Sequence, residues 1–143
     1  MSIQLNPYMY FDGSAREAMV RYATIFGGEL SMLTFGEAGM PASAGPADSI
    51  MHAQLTAADG LTLMASDIQA GQELPRTGAI SIIISGRDEP QLTSCWEQLS
   101  ADGNVTSPFA RAPWNDIFGS CSDKFGVSWI VNVVSDGRPI PVP

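Results

Sequence analysis

The strongest constraint in this sequence is that one order of structural signals runs through it twice. The apolar, aromatic-rich stretch Ile3 to Phe11 reads as a strand. Asp12-Gly13 then turns the chain, and Ser14-Ala15-Arg16-Glu17 has the serine-to-glutamate spacing of a capping box. Ala18, Tyr22, Ile25 and Phe26 follow at helical spacing, and Gly27-Gly28 stops the helix. Glu29 to Phe35 reads as a second strand. Ile50 to Ala57 and Leu61 to Ser66, joined at Asp59-Gly60, read as a hairpin. The order restarts with the strand Ala79 to Ser85, a helix start at Asp88-Glu89-Pro90-Gln91, and a helical face of Leu92, Cys95, Trp96 and Leu99. Asn104 to Phe109 is the next strand, and Ile117 to Ser122 with Val127 to Val133 closes the second set.

An offset of 74 residues lays Ser14 on Asp88, Glu17 on Gln91, Ala18 on Leu92, Tyr22 on Trp96 and Ile25 on Leu99. In the final hairpins the offset becomes 66, with Gly60 on Gly126, Leu61 on Val127 and Leu63 on Trp129. A unit of half the chain that recurs implies two like modules, each with one sheet face to bury. The expected class is α+β, two βαβββ modules (about 1–67 and 79–134) within a single domain 1–143. Residues 68–78 read as a linker, and 135–143, with three prolines from 136 on, as an extended tail. The Gly, Ala, Pro and Ser loop from Gly36 to Asp48 is long enough to suggest a lid or binding loop.

Composition narrows the partners. The formal net charge is −8, with one lysine, Lys124, and six scattered arginines. That leaves no basic face to displace counterions from nucleic acid, and an anionic membrane surface would repel the chain. No apolar run reaches the roughly 18 residues of a membrane span. The N-terminus lacks a basic region followed by an apolar one, so a cytoplasmic location is expected. Cys95 and Cys121 are too few for a disulfide framework and lack redox or zinc spacing, so they read as reduced, buried thiols.

Several segments together carry a family likeness: Asn6-Pro7-Tyr8-Met9-Tyr10-Phe11-Asp12-Gly13, Arg16-Glu17-Ala18-Met19, Phe26-Gly27-Gly28-Glu29-Leu30, Ile50-Met51-His52-Ala53 and Asp123-Lys124-Phe125-Gly126-Val127-Ser128-Trp129-Ile130-Val131-Asn132. The chain resembles the vicinal oxygen chelate superfamily, which holds glyoxalase I, bleomycin-resistance proteins and extradiol dioxygenases, and within it the PhnB-like branch. The resemblance implies two modules curled into a cup-shaped sheet around a metal ion, often in a homodimer. It implies ligands seven residues before each helix cap and four after each hairpin glycine. In this sequence those positions hold Pro7, Ser81, Met64 and Ile130, none an adequate ligand for a divalent ion. Neither a metal nor another cofactor is therefore expected. A register slip of one residue would bring Asn6 and Tyr8 to the first position. The resemblance also carries the label of a demethylubiquinone methyltransferase, but no glycine-rich turn opens a doubly wound sheet.

Strand alternation gives the candidate site. His52, the only histidine, and Gln54 fall on the face opposite Met51, Ala53 and Leu55, where His52 is a candidate catalytic base or a ligand donor. If Met64 faces the cup, Ser66 does too; Ile130 brings Ser128 and Asn132, and Pro7 brings Met9 and Phe11. Trp114 and Phe118 are candidates to stack on a planar ligand, and Arg111 to steer an anionic one. The expected ligand-binding set is Met9, Phe11, His52, Gln54, Met64, Ser66, Trp114, Phe118, Ile130 and Asn132, suited to a small, partly apolar organic molecule. Two other readings stand beside this metal-free binder. One is a metal-dependent lyase, isomerase or dioxygenase with other ligands. The other is a non-catalytic dimeric assembly protein whose cup is filled by its own side chains.

Overall fold

In the first module, β1 (Tyr8–Phe11), α1 (Ala15–Phe26), β2 (Glu29–Thr34), β3 (Ile50–Thr56) and β4 (Thr62–Asp67) form a four-stranded sheet in the order β1-β4-β3-β2. A computed structural model describes residues 3–75 and 78–135, so the expected tail 136–143 lies outside the described residues. The first strand pairs with the last in parallel, Tyr8 opposite Met64 and Tyr10 opposite Ser66, and the other pairings are antiparallel. The helix returns over one sheet face and buries Ala15, Ala18, Met19 and Tyr22. Met9, Phe11, Ala53, Leu55, Leu63 and Ala65 are buried on that same face by strand alternation and cross-strand register.

The second module repeats this plan with β5 (Ile82–Gly86), α2 (Glu89–Ser100), β6 (Asn104–Arg111), β7 (Ile117–Ser122) and β8 (Ser128–Val133), in the order β5-β8-β7-β6. Here β5 and β8 are the parallel pair, Ile83 opposite Ile130 and Ser85 opposite Asn132. Leu92, Cys95, Trp96 and Leu99 are the buried residues of α2. Trp96 stacks on Phe109 with ring centroids 5.3 Å apart. Gly119 gives the indole its space: a Cβ there would meet the Trp96 ring at 3.0 Å. The chain divides into two compact units, Met1–Arg76 and Thr77–Pro143. Among the described residues no helix is long and apolar enough to cross a membrane.

The duplication extends to backbone contacts. Beyond each helix a glycine lies against a strand carbonyl of its own module: Gly28 on Thr56, and Gly103 on Ser122. A Cβ at either glycine would stand 2.2 Å from that oxygen, too close for any side chain. The helix starts differ, however. In α2 the Asp88 carboxylate accepts from Gln91 N–H at 3.1 Å, as its capping position demands. In α1 the Ser14 side chain makes no capping bond. Asp67, from the far end of β4, replaces it: Oδ1 accepts from Ala15 N–H at 3.0 Å and Oδ2 from Ile50 N–H at 2.8 Å. One buried carboxylate thus fixes a helix start and a strand start together.

The hairpin between β7 and β8 depends on a similar device. Asp123 Oδ1 accepts from Phe125 N–H at 2.9 Å and Val127 N–H at 3.0 Å, while Oδ2 accepts from the Trp129 indole at 2.8 Å. The segment Asp123-Lys124-Phe125-Gly126-Val127-Ser128-Trp129 is therefore a turn organised around one buried carboxylate, with Gly126 at a positive φ of 89°.

Three expectations change. The strand expected from Ile3 forms only from Tyr8, and Ile3 and Leu5, both 99% exposed, precede it without regular structure. The strand expected at Ala79 begins at Ile82. The loop expected as a lid is tied across its own base: Phe35 N–H donates to the Ser49 carbonyl at 2.8 Å and Gly36 N–H to Ala47 at 2.9 Å. It is anchored further along as well, by Ala70 N–H on the Ala44 carbonyl at 2.7 Å and by burial of Phe35 and Ala44. At its entry the exposed Glu37 carboxylate accepts from Thr34 N–H, which, with the Thr34 hydroxyl and Arg16, holds it below the usual carboxylate range. A self-bonded loop of this kind is a compact Ω-type loop.

Candidate functional site

The face of the first sheet away from α1 is built from alternate residues of four strands. Tyr8 and Tyr10 come from β1, His52 and Gln54 from β3, and Met64 and Ser66 from β4. Leu33 of β2 lies opposite His52. His52 is half-buried, and its Nδ1 stands 3.4 Å from the Tyr8 hydroxyl, with ring centroids 5.8 Å apart. Tyr10 continues the aromatic surface, 5.2 Å from Tyr8 by ring centroids. Either group can be the donor in this contact, and the second ring nitrogen, Nε2, remains to donate to or accept from a ligand according to the tautomer. Gln54 donates from Nε2 to the Thr56 hydroxyl at 3.4 Å.

The corresponding face of the second sheet carries Ile83 and Ser85 of β5, Ser128, Ile130 and Asn132 of β8, and Phe118 and Ser120 of β7. Phe118 lies directly opposite Asn132, and Trp114, in the β6–β7 turn, meets the Phe118 ring edge-on with centroids 5.6 Å apart. The Asn132 amide donates to Asp116 Oδ2 at 3.1 Å, and Ser135 N–H donates to Asp116 Oδ1 at 3.0 Å. Ser81, set apart in the sequence as a ligand-equivalent position, shares a 2.7 Å hydroxyl contact with Ser128. The Arg111 guanidinium donates to the Asn115 carbonyl at 2.9 Å and so closes the turn that presents Trp114, a local structural duty for a side chain expected to steer anions.

Two of the expected site residues are elsewhere. Met9 and Phe11 are buried on the α1 side, and Tyr8 and Tyr10 hold the open face instead. The cause is a difference of one residue between the modules. Two residues, Asp12 and Gly13, separate β1 from the cap Ser14, whereas Arg87 alone separates β5 from Asp88. Counting seven back from the cap reaches the open face in the second module, at Ser81, and the opposite face in the first, at Pro7. A slip of one turns every side chain over. A signal for the right face was present in the strand itself, because hydroxyl-bearing Tyr8 and Tyr10 alternate with wholly apolar Met9 and Phe11. Asp67 and Asp116, missed in the sequence, are recognisable only from partners remote in the chain or from their burial, whereas Asp123, quoted there only as part of a family-like segment, bonds N–H groups two, four and six residues on.

The metal ion that the resemblance implies would need ligands among these side chains. At and beside the ligand-equivalent positions stand Asn6, Tyr8, Met64, Ser81, Ile83 and Ile130, and none is a histidine, carboxylate or thiolate. His52 is the imidazole of the first module, and among the described residues no three His, Cys, Asp or Glu side chains come together. The donor set does not fit a divalent ion. Burial pushes the Cys95 and Cys121 thiols up, with the nearby Asp123 charge adding to the effect at Cys121, so neither is poised as a nucleophile.

Comparison with known proteins agrees with this architecture. The chain is similar to protein PA1353 from Pseudomonas aeruginosa, at 35% identity and a TM-score of 0.83 over 92% of this chain and 97% of that one. It is similar also to a putative 3-demethylubiquinone-9 3-methyltransferase, a PhnB protein, from Bacillus cereus, at 26% identity and a TM-score of 0.76 over 90% of this chain and 98% of that one. A glyoxylase/bleomycin resistance protein/dioxygenase domain from Frankia, at 15% identity and a TM-score of 0.66 over 96% of each chain, shares the fold. The two βαβββ modules have the glyoxalase/bleomycin-resistance-like fold, and the family model described as 3-demethylubiquinone-9 3-methyltransferase matches residues 3–132, so the chain belongs to that PhnB-like family.

Proposed function

We propose that the protein binds a small, partly apolar organic molecule on the open faces of its sheets and does so without a resident metal ion. The observation that carries this reading is the Tyr8–His52 pair, set beside Tyr10 and Met64 on a face that the module's helix leaves uncovered. A flat aromatic surface with one imidazole donor suits a planar or carbonyl-bearing ligand, with the rings supplying contact area and His52 fixing orientation. Metal independence is supported by the side chains at the ligand-equivalent positions, since Met64 and Ile130 offer a thioether and a hydrocarbon where a divalent ion needs harder donors. Methyl transfer, the activity in the family's description, finds no support in the topology: a nucleotide-type cofactor site at a switch point needs a doubly wound parallel sheet, and each sheet here is mixed and carries one helix. A homodimer in the cytoplasm, with Cys95 and Cys121 as free thiols, completes the proposal.

The test is to incubate the purified chain with a cell extract of small molecules, remove the unbound fraction, and identify what is retained by native mass spectrometry. A retained organic molecule with His52→Ala and Tyr8→Phe weakening retention at unchanged melting temperature is the expected result. Equal retention by both variants would remove the site from this face. One equivalent of zinc, nickel, iron or manganese in the purified protein would overturn the metal-free reading. Light scattering showing a monomer at working concentration would overturn the dimer.

A further inference from the structure

The open face of the second module holds a buried polar atom that the fold leaves unanswered. Asn132 is only 7% exposed, and its Oδ1 has no hydrogen-bond partner among the described residues. The orientation of that amide is chemically determined. Asp116 Oδ2, an acceptor when the buried carboxylate is ionised, takes a hydrogen bond of 3.1 Å from the nitrogen of Asn132. Turning the amide over would put two acceptors together. Asp116 is itself held by Ser135 N–H, so the amide oxygen is presented in one direction by a chain of fixed groups. Native proteins rarely leave a buried acceptor unmet, and where they do, an unseen partner is the usual reason.

The residues that share this face with Asn132 describe the partner. Phe118 stands directly across from Asn132, Trp114 meets Phe118 edge-on, and Ile130 lies two residues along on the same face. Trp114 is 49% exposed, so ring surface remains open to a second ring. An amide oxygen can only accept, so it gives an anion nothing to bind and takes a group with a hydrogen to donate. We infer that Asn132 Oδ1 is the acceptor of a ligand subsite that selects a neutral planar ring bearing an N–H or O–H donor, of indole or phenol type, against the Phe118–Trp114 pair. This deepens the small-molecule reading proposed above. It stands on different residues in a different module, so the two can fail separately.

The experiment is a titration of isotope-labelled protein with matched probes that differ by one donor: indole against 1-methylindole, and phenol against anisole. The expected result is that indole and phenol shift the Asn132 side-chain amide and the Phe118 and Trp114 ring signals. Indole should bind about tenfold more tightly than 1-methylindole, equivalent to about 1.4 kcal/mol. Asn132→Val, checked by thermal melting, should abolish that preference; if the variant does not fold, the wild-type probe pairs decide alone. Equal affinity within both pairs overturns the inference, as does the absence of shifts at these side chains at millimolar probe. Shifts confined to His52 and Tyr8 overturn it while leaving the first-module site standing. A high-resolution complex in which a water still occupies Oδ1 beside bound indole also overturns it.

Discussion

Asp123 offers the sharpest test of how the second module is held together. Its carboxylate accepts from two backbone N–H groups of the β7–β8 turn and from the Trp129 indole, and all of these lie at 2.8–3.0 Å. Hydrogen bonds to a charged group contribute about 1.5–3 kcal/mol each, and a buried donor left without a partner costs about 1–3 kcal/mol. Turn amides regain water when the carboxylate is removed, but the Trp129 indole, 1% exposed, does not. Asp123→Ala should therefore cost about 3–5 kcal/mol, set against a total of about 5–15 kcal/mol for a domain. Asp123→Asn keeps an acceptor for the turn and places an amide N–H₂ against the indole N–H, so about 1–3 kcal/mol is expected. Trp129→Phe removes the donor, and in that background Asp123→Asn should cost distinctly less. The assay is urea unfolding followed by circular dichroism for the three single variants and for the double of Asp123→Asn with Trp129→Phe. A loss below about 1 kcal/mol for Asp123→Ala, or additive singles in the cycle, would refute the claim that this carboxylate organises the hairpin.

Two further perturbations follow from the packing. Gly28→Ala and Gly103→Ala should each destabilise by about 2 kcal/mol or more, because the new methyl collides with a strand carbonyl, while Gly13→Ala, with positive φ but open space, should cost only about 1 kcal/mol; thermal melts of the three variants check the order. Because burial raises Cys95 and Cys121, both thiols should react slowly with a disulfide reagent at pH 8 in the native protein and rapidly in urea. The folded state keeps the proton that the unfolded state gives up, so the contribution of these groups is complete below the ordinary thiol range and is lost as pH rises through it. Unfolding curves between pH 7 and pH 10 that show no such decline from these residues, by comparison with the double Cys→Ser protein, would contradict the burial.

The repeat, both helices and the facing of β3 and β8 were legible because each rests on local information. Asp88 caps its helix with a neighbour three residues on, and alternation places His52 and Gln54 opposite Ala53 and Leu55. The facing of β1 was not legible by counting from the helix, because its connection to α1 carries one residue more than its counterpart. The failure of Ser14 as a cap was hidden for a different reason: its replacement, Asp67, is 52 residues beyond the N–H it accepts from. The same holds for the site. Phe118 and Asn132 could be proposed separately from strand parity, but their direct opposition depends on the β7–β8 register, and the unmet oxygen of Asn132 on the burial of Asp116.

The parallel pairing of first and last strands also sets when each module can exist during synthesis. Tyr8 finds its place only once Met64 has emerged, and Ile83 only once Ile130 has. The β3–β4 and β7–β8 hairpins pair near neighbours and can form early, whereas the parallel closure joins residues more than 45 positions apart and carries the larger loop entropy. Until that closure, β4 and β8 are exposed edges open to misplaced strands. Among the described residues each sheet takes its four strands from one half of the chain, which lets the first module complete its sheet on the ribosome before the second has been made.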